Sequence, residues 1–481
     1  MSQPADASNP APSAPDTGSV PALLAEADAH RRAGRNAEAE RLCRQVLQLA
    51  PDQPDALHLL GLTLVQAGNA RLAIPLVERA LAARPDAAQF QRTLGMALYQ
   101  CGEFAAAIAR LESALGAMPG DFSTHLHLGF ALHSSGRIEE AGETLERALA
   151  LNRDLPEAHF YVAISLLCRG EFERGWREYE ARPSRVDYER QGLFKRFREW
   201  RGENPAGATV LLYSEQGYGD TIQFARYVPL LAARGARPVL RALPELVHLM
   251  STLPGVAQVS IAGEPPPAAD YVCLLGSLPG LFGTRLDTIP ATVPYLQAPQ
   301  GYLEFWRERL GARSGFRVGL VWAGNPSHSN DANRSLPLAA LEPLAEVPGV
   351  TLYSLQKGAA TSQAGDSGLA LTPLGDELFD FADTAGALAQ MDLVVTVDTS
   401  VAHLAGATGV PVWLLLPTGP DWRWLAGRED SPWYPTMRIF RQHAPGDWTA
   451  VVARVAAALT ERAAASRSAP AAHGTHGGAR L

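Results

Sequence analysis

Five glycines, Gly34, Gly68, Gly102, Gly136 and Gly170, stand 34 residues apart, and no other feature of this 481-residue chain limits its fold so tightly. Five positions after each comes a small residue: Ala39, Ala73, Ala107, Ala141 and Gly175. Pro51, Pro85 and Pro119 keep the same interval, with Arg153 in the next equivalent place. Three registers of one period define a repeated unit, which has to be recognised before any single element is read. The glycine suits a turn between two antiparallel helices, where positive φ is cheap only without a Cβ. The small residue lets the second helix lie close on the first. The proline closes that second helix and opens the next unit.

Within one unit, Leu57, Gly61, Leu64, Ala73 and Ala80 fall in a pattern that resembles the tetratricopeptide (TPR) repeat. About five units are expected over residues 20–187, the first and last atypical, as caps of a solenoid are. Such an array offers a curved surface to peptides or protein partners; a spacer or dimerisation arm is the alternative. Because each unit contacts only its neighbours, residues 1–187 are expected to be removable without unfolding the C-terminal part of the chain, provided the connector is kept.

The rest of the composition is that of an ordinary soluble chain, 47% hydrophobic and 19% charged. A net charge of −8, from 42 basic and 50 acidic residues without a long block of either sign, argues against a nucleic-acid partner. Cys43, Cys101, Cys168 and Cys273 form no close pair and read as buried thiols in a reducing cytoplasm. No apolar run is long enough to span a bilayer, and the start reads as no signal peptide. Residues 1–19 and 463–481 read as disordered tails, the latter with His473 and His476 solvated rather than bound to metal.

After Arg182-Pro183-Ser184 the pattern changes. A polar and aromatic connector, 188–207, leads into strands that alternate with helices: strands near 209–213, 238–242, 257–261 and 270–274, then a helix at 301–310. A second series starts at 317–322 and continues near 350–355, 392–397 and 412–416, ending in a helix over 447–459. Alternation of this kind gives parallel sheets covered on both faces. The fold class is therefore an α-helical repeat solenoid followed by an α/β domain of two Rossmann-like lobes, 208–299 and 316–462, joined by a linker helix within 300–315.

Three segments of the α/β part carry chemistry. Ser214-Glu-Gln-Gly-Tyr-Gly-Asp220 follows the first strand, where ligands of parallel sheets bind. It fails as a dinucleotide fingerprint, because Ile222 occupies the third glycine position. Asp220 serves either as an ionised acid at a helix start, with Gly217, Tyr218 and Gly219 lining the ligand, or as a helix cap. In the second segment a strand runs through Asp398-Thr399-Ser400 into a helix, exposing N–H groups and two hydroxyls to a phosphate. His403 stands one turn in, and the small residues behind it place it on the open side, although a lone histidine is more often a packing residue. The third, Pro420-Asp-Trp-Arg-Trp424 with Ser431-Pro-Trp-Tyr-Pro435, is dense in aromatics. With Asp421 and Trp422 at its head it stacks on a sugar or base, seals the joint between lobes, or does both.

The Gly-Asp turn of the first lobe, paired with Asp-Thr-Ser-x-Ala-His in the second, resembles the bacterial heptosyltransferase family over about residues 208–460. That resemblance implies a GT-B fold and an inverting, metal-independent glycosyl transfer, with Asp220 as base and the Asp398–His403 segment meeting the donor diphosphate. The arrangement of repeats before such a domain is also similar to protein O-GlcNAc transferases, by architecture only. The chain departs from the heptosyltransferase pattern in a short first lobe and in having Asn325-Pro-Ser-His328 and Asn333-Arg334-Ser335 where that family carries a lysine. Arg334, with Asn325 nearby, substitutes as a diphosphate clamp, and Lys357 is a second cation at the same edge; either is otherwise surface charge. No Asp-x-Asp occurs, and neither a metal nor a cofactor beyond the nucleotide-sugar donor is expected.

The expected function is transfer of a sugar from a nucleotide-sugar donor to a protein or surface-polymer acceptor recruited by the repeats. Two other classes remain open at this point: a TPR scaffold with a non-catalytic GT-B domain, and a nucleotide-sugar epimerase, which needs no acceptor.

Overall fold

The computed structural model describes residues 18–468 apart from Ser314 and Ser329. Of the tails expected at 1–19 and 463–481, residues 1–17 and 469–481 lie outside the described residues, while 463–468 are helical and not a disordered tail. The chain forms two compact units, one ending at Ala131 and the other beginning at Leu132.

The first unit is a stack of helix pairs: Val20–Arg32 with Asn36–Leu49, Pro54–Gln66 with Ala70–Ala83, and Ala88–Gln100 with Phe104–Ala117. The periodic glycines take up the turn conformation that their spacing implies. Gly34, Gly68 and Gly102 have φ of 74°, 78° and 82°, and the later Gly136 and Gly170 have 88° and 80°. Ala39, Ala73 and Ala107 are fully buried where the second helix of each pair meets the first.

The second unit opens with the last repeats, Ile138–Leu151, Pro156–Cys168 and the short helix Phe172–Tyr179. That final helix buries Phe172, Gly175, Trp176 and Tyr179. Here the structure differs from the expected boundary at 187. Phe172, Trp176 and Tyr179 belong to the same hydrophobic core as Ile222, Leu240, Leu404 and Trp433 of the α/β part. A cap repeat must cover its outer face, and this one covers it with the α/β part instead of with polar side chains.

The first sheet comprises β1 (Thr209–Tyr213), β2 (Arg237–Ala242), β3 (Gln258–Ile261) and β4 (Tyr271–Leu274), all parallel, in the order β3-β2-β1-β4. The second comprises β5 (Phe316–Val321), β6 (Val350–Ser354), β7 (Leu371–Pro373), β8 (Leu393–Val397), β9 (Val412–Leu416) and β10 (Met437–Arg441). Its order is β10-β9-β8-β5-β6-β7, again all parallel. Both sheets are thus wound to either side of a central strand, as in open Rossmann-like sheets. Each sheet therefore has a switch point, beside β1 and β4 in one and beside β5 and β8 in the other, where a crevice opens at the carboxyl ends.

Helix Pro183–Arg190 runs across the expected start of the connector at 188; the connector itself holds the short helix Leu193–Arg196 and lays Leu193 against Leu211, Val239 and Val272 of the first sheet. The final helix runs over Trp448–Ser468, past the expected end of the domain at 462, because Ala463 is still buried against the second sheet.

Candidate site at the two switch points

β1 ends at Tyr213, and the segment after it enters helix Tyr218–Phe224 with Asp220 in its first turn. Of the two readings of Asp220, the geometry shows the capping one in part: Asp220 is the third residue after the N-cap Gly217. Oδ2 accepts from the Gly217 N–H at 3.0 Å, closing the helix start, while Oδ1 receives the Nη2 of Arg423. The carboxylate is 17% exposed and keeps some access to solvent.

Arg423 does not stand out by its position in the sequence. Its guanidinium reaches from the second lobe to the first: Nη1 donates to Asp421 at 2.8 Å, Nε to Gln223 at 2.7 Å, and Nη2 to Asp220. It lies over the Trp422 ring at 4.5 Å. The sequence holds one hint, since an arginine inside an aromatic run is rarely buried without acid partners. The partner, 203 positions away, is not legible there.

In the second lobe, Thr399 is the N-cap of helix Ser400–Ala407, and its side chain makes no capping bond, being paired with Thr396 at 3.1 Å. The Ala402 N–H donates to the Thr399 carbonyl at 3.0 Å, which leaves the N–H groups of Ser400 and Val401 for solvent or an anion. Arg334 stands at the same switch point. Its Nη1 donates to the Asp398 carbonyl at 3.0 Å and its Nε to Asp331 at 3.1 Å, with 15% of the side chain exposed.

The two motifs meet at one place. A Cβ on Gly219 would lie 2.7 Å from Cδ2 of His403, so only glycine admits this contact. His403 is not on the open side as expected. It is 5% exposed, its Nδ1 pairs with the Tyr434 hydroxyl at 2.9 Å, and its ring lies 4.9 Å from that of Trp424. The reason is that the small face of its helix, at Gly406, is covered by Tyr434, whose hydroxyl then reaches the imidazole.

The remaining expected residues divide. The Tyr218 ring lies 4.9 Å from that of Phe381 of the second lobe, tilted by 45°, and is half-buried. Asn325 is exposed, and its side chain closes its own turn by accepting from Ser327 at 3.0 Å. The ammonium of Lys357 donates to the Leu378 carbonyl, which does not join it to Arg334 and Asp398. Trp422 is 1% exposed, set edge-on at 5.2 Å to Trp176 of the last repeat and stacked at 6.4 Å on Phe224 of the first lobe, so its ring is packed on both sides and is not open to a ligand.

Electrostatics follow burial. Desolvation pushes the Asp220 carboxyl above its usual value even though Arg423 and the Gly217 N–H oppose this. Burial, then the Asp421 charge, pushes Asp398 up to about 6. The Trp424 indole N–H favours ionised Asp398, yet it makes no hydrogen bond of normal geometry among the described residues. Burial, with Arg423 and Arg226 nearby, drives His403 far below its usual value and keeps it neutral. The Gln223 amide nitrogen is a second buried donor without a partner among the described residues. The site thus presents convergent donors and one partly open carboxylate; no group of side chains among the described residues is arranged to hold a metal.

Comparison with known proteins covers the repeats most directly. Residues 24–88 and 58–122 match one tetratricopeptide repeat family model, and residues 98–160 match a second. Protein FlbA of Caulobacter vibrioides is 30% identical over 341 residues, 63% of this chain. The chain spans about half of that relative, 55% of its length. Among solved structures, MamA from Desulfovibrio magneticus RS-1 is 19% identical and covers 36% of this chain and 96% of its own, with a TM-score of 0.31. A MamA structure from AMB-1 is 28% identical, covering 33% of this chain and 94% of its own at a TM-score of 0.29. No helix among the described residues is long and apolar enough to cross a membrane.

Proposed function

We propose that this chain is a glycosyltransferase of the GT-B type, resembling heptosyltransferases, which moves a sugar from a nucleotide-diphosphate donor to a protein or glycan acceptor engaged by its TPR repeats. The observation that supports the reading is the meeting of the two switch points at Gly219 and His403, with the partly open Asp220 on one side and an uncapped helix start on the other. The acceptor hydroxyl gives its proton to Asp220 as its oxygen bonds to the anomeric carbon. The bond from that carbon to the phosphate oxygen breaks, and the nucleoside diphosphate leaves with the electron pair. Its charge falls on the N–H groups at Ser400 and Val401 and on Arg334, fixed donors of the kind that supply most leaving-group stabilisation. A reducing, cytoplasmic setting suits the free thiols and belongs to this proposal.

A second reading, a TPR scaffold whose α/β part binds without turnover, is favoured by the ion pair between Asp220 and Arg423. A panel of nucleotide sugars, with nucleoside diphosphate release and thermal shift measured side by side, separates the two. Release from one donor, increased by acceptor, supports transfer. Thermal shift without release supports the scaffold, and conversion of the sugar nucleotide without an acceptor supports an epimerase.

A further inference from the structure

Three consecutive residues lead from β1 to the turn that carries Asp220, and each is held from the end of the repeat array or from the connector that follows it. The Ser214 carbonyl accepts from the Tyr188 hydroxyl at 3.1 Å. Glu215 accepts from Arg182 through a two-pronged pair, Nε at 2.9 Å and Nη2 at 2.7 Å. It also accepts from the Ser184 hydroxyl at 2.6 Å and from the Gly276 N–H at 2.9 Å. Gln216 donates its amide to the Tyr179 hydroxyl at 2.9 Å. Arg182 and the Glu215 side chain are 0% and 1% exposed. Gln216 has φ of 61°, a conformation a non-glycine residue keeps only where its surroundings over-determine it.

A purely adhesive contact between repeat and α/β part has no need of this arrangement. Apolar packing by Trp176 and Phe172 already supplies adhesion, whereas a buried charge pair adds little net stability over an apolar substitute. What such a pair does supply is a defined geometry. We propose that the segment Tyr179–Tyr188 is a positioning element of the site: Arg182 acting through Glu215, and Tyr179 acting through Gln216, set where the Gly217–Asp220 turn stands. The inference rests on reading Asp220 as the acid–base residue. It makes the last repeat part of the catalytic apparatus and not only of the acceptor surface.

The test uses the full chain with two mild substitutions, Tyr179→Phe and Glu215→Gln, of which the first removes one hydroxyl and is expected to fold in any case. The probe is the nucleotide sugar that gives the fastest nucleoside diphosphate release. A displaced acid–base group loses turnover while the donor, held by the second lobe, binds as before. Turnover should therefore fall by about tenfold or more, with KM for the nucleotide sugar within about twofold. The melting temperature should be nearly unchanged in Tyr179→Phe and lower in Glu215→Gln, which leaves buried Arg182 with Glu180 as its acid partner. Unchanged turnover in the folded variants, or a rise in KM with kcat unaltered, overturns the proposal. If the parent releases nucleoside diphosphate from no donor, the function reading fails and amide exchange decides the present one. Faster exchange confined to residues 214–224 in the variants supports positioning, and exchange equal to the parent overturns it.

Discussion

Burial and the neighbouring Asp421 charge hold the Asp398 carboxyl protonated up to about pH 6, well above the unfolded value near 4. Between those two pH values the folded state binds the extra proton, so stability falls as pH rises through that window, and the cost stays in full above it. Asp398→Asn removes the charge and should raise the melting temperature at pH 7.5, by about 1–3 kcal/mol of stability. The gain should shrink toward zero below about pH 4, where the parent is protonated in both states. Melting curves of parent and variant across pH 4–8 check this; a variant that melts lower at every pH would show that the carboxylate is stabilising. Asp220→Asn tests the chemistry at the other switch point. The amide keeps an oxygen for the Gly217 N–H, and Arg423 keeps Asp421 and Gln223. The fold and donor binding should survive while transfer falls by about 10²–10⁴-fold, the usual worth of a general base. Near-normal turnover would leave Asp220 as a helix cap and partner of Arg423.

The elements legible in the sequence are those whose composition matches their burial. β1, β8 and β9 are apolar runs but for Thr209 and Thr396, and β5 is apolar from Val318 to Val321; each is buried along nearly its whole length. β7 and β10 are not legible in this way. β7 is three residues long and ends in Pro373, while β10 mixes Arg438 and Arg441 into Met437–Arg441; both lie at sheet edges, where polar residues and proline are admitted. The motif loops are legible because strand, turn and helix succeed one another locally. Arg423 and the Arg182–Glu215 pair are not, because each depends on contacts between distant segments. His403 is legible as a motif residue but not as a buried one, since only the fold brings Tyr434 over Gly406. One element-level contact can be tested directly, the approach of helix Tyr218–Phe224 to helix Ser400–Ala407 at Gly219. Gly219→Ala drives a methyl into the His403 ring, so the two helices must separate or the ring must turn. The expected cost is about 1–3 kcal/mol in denaturant unfolding, with weaker nucleotide-sugar binding by calorimetry. A variant as stable as the parent and binding equally well would show that the two helices move apart freely, and would weaken the case for a site shared between lobes.

At the scale of the whole molecule, the chain does not divide where the repeat pattern ends. The last repeat presents Trp176 to Trp422 and donates the Trp176 indole N–H to the Thr284 carbonyl at 2.9 Å. Cys168 gives its carbonyl to the Ala426 N–H at 2.9 Å, and His133 reaches the Pro420 carbonyl at 3.1 Å. A fragment starting at residue 188 would expose the Trp422 cluster and leave the Glu215 carboxylate buried without its arginine. Losing a buried tryptophan costs about 3–5 kcal/mol and stranding a buried charge a similar amount, which together approach the whole stability of a typical domain. That fragment should aggregate or melt far below the intact chain. A fragment starting at residue 120 keeps helix Phe122–Ser134 whole, together with all of these contacts, and should melt as the corresponding transition of the intact protein does. If the repeats before residue 120 recruit the acceptor, this fragment should release nucleoside diphosphate from its donor as fast as the full chain. Transfer to a macromolecular acceptor should then fall through a raised KM for the acceptor, with kcat retained, because the groups that position Asp220 are still present. Equal efficiency toward the macromolecular acceptor would mean that the early repeats serve assembly and take no part in acceptor choice.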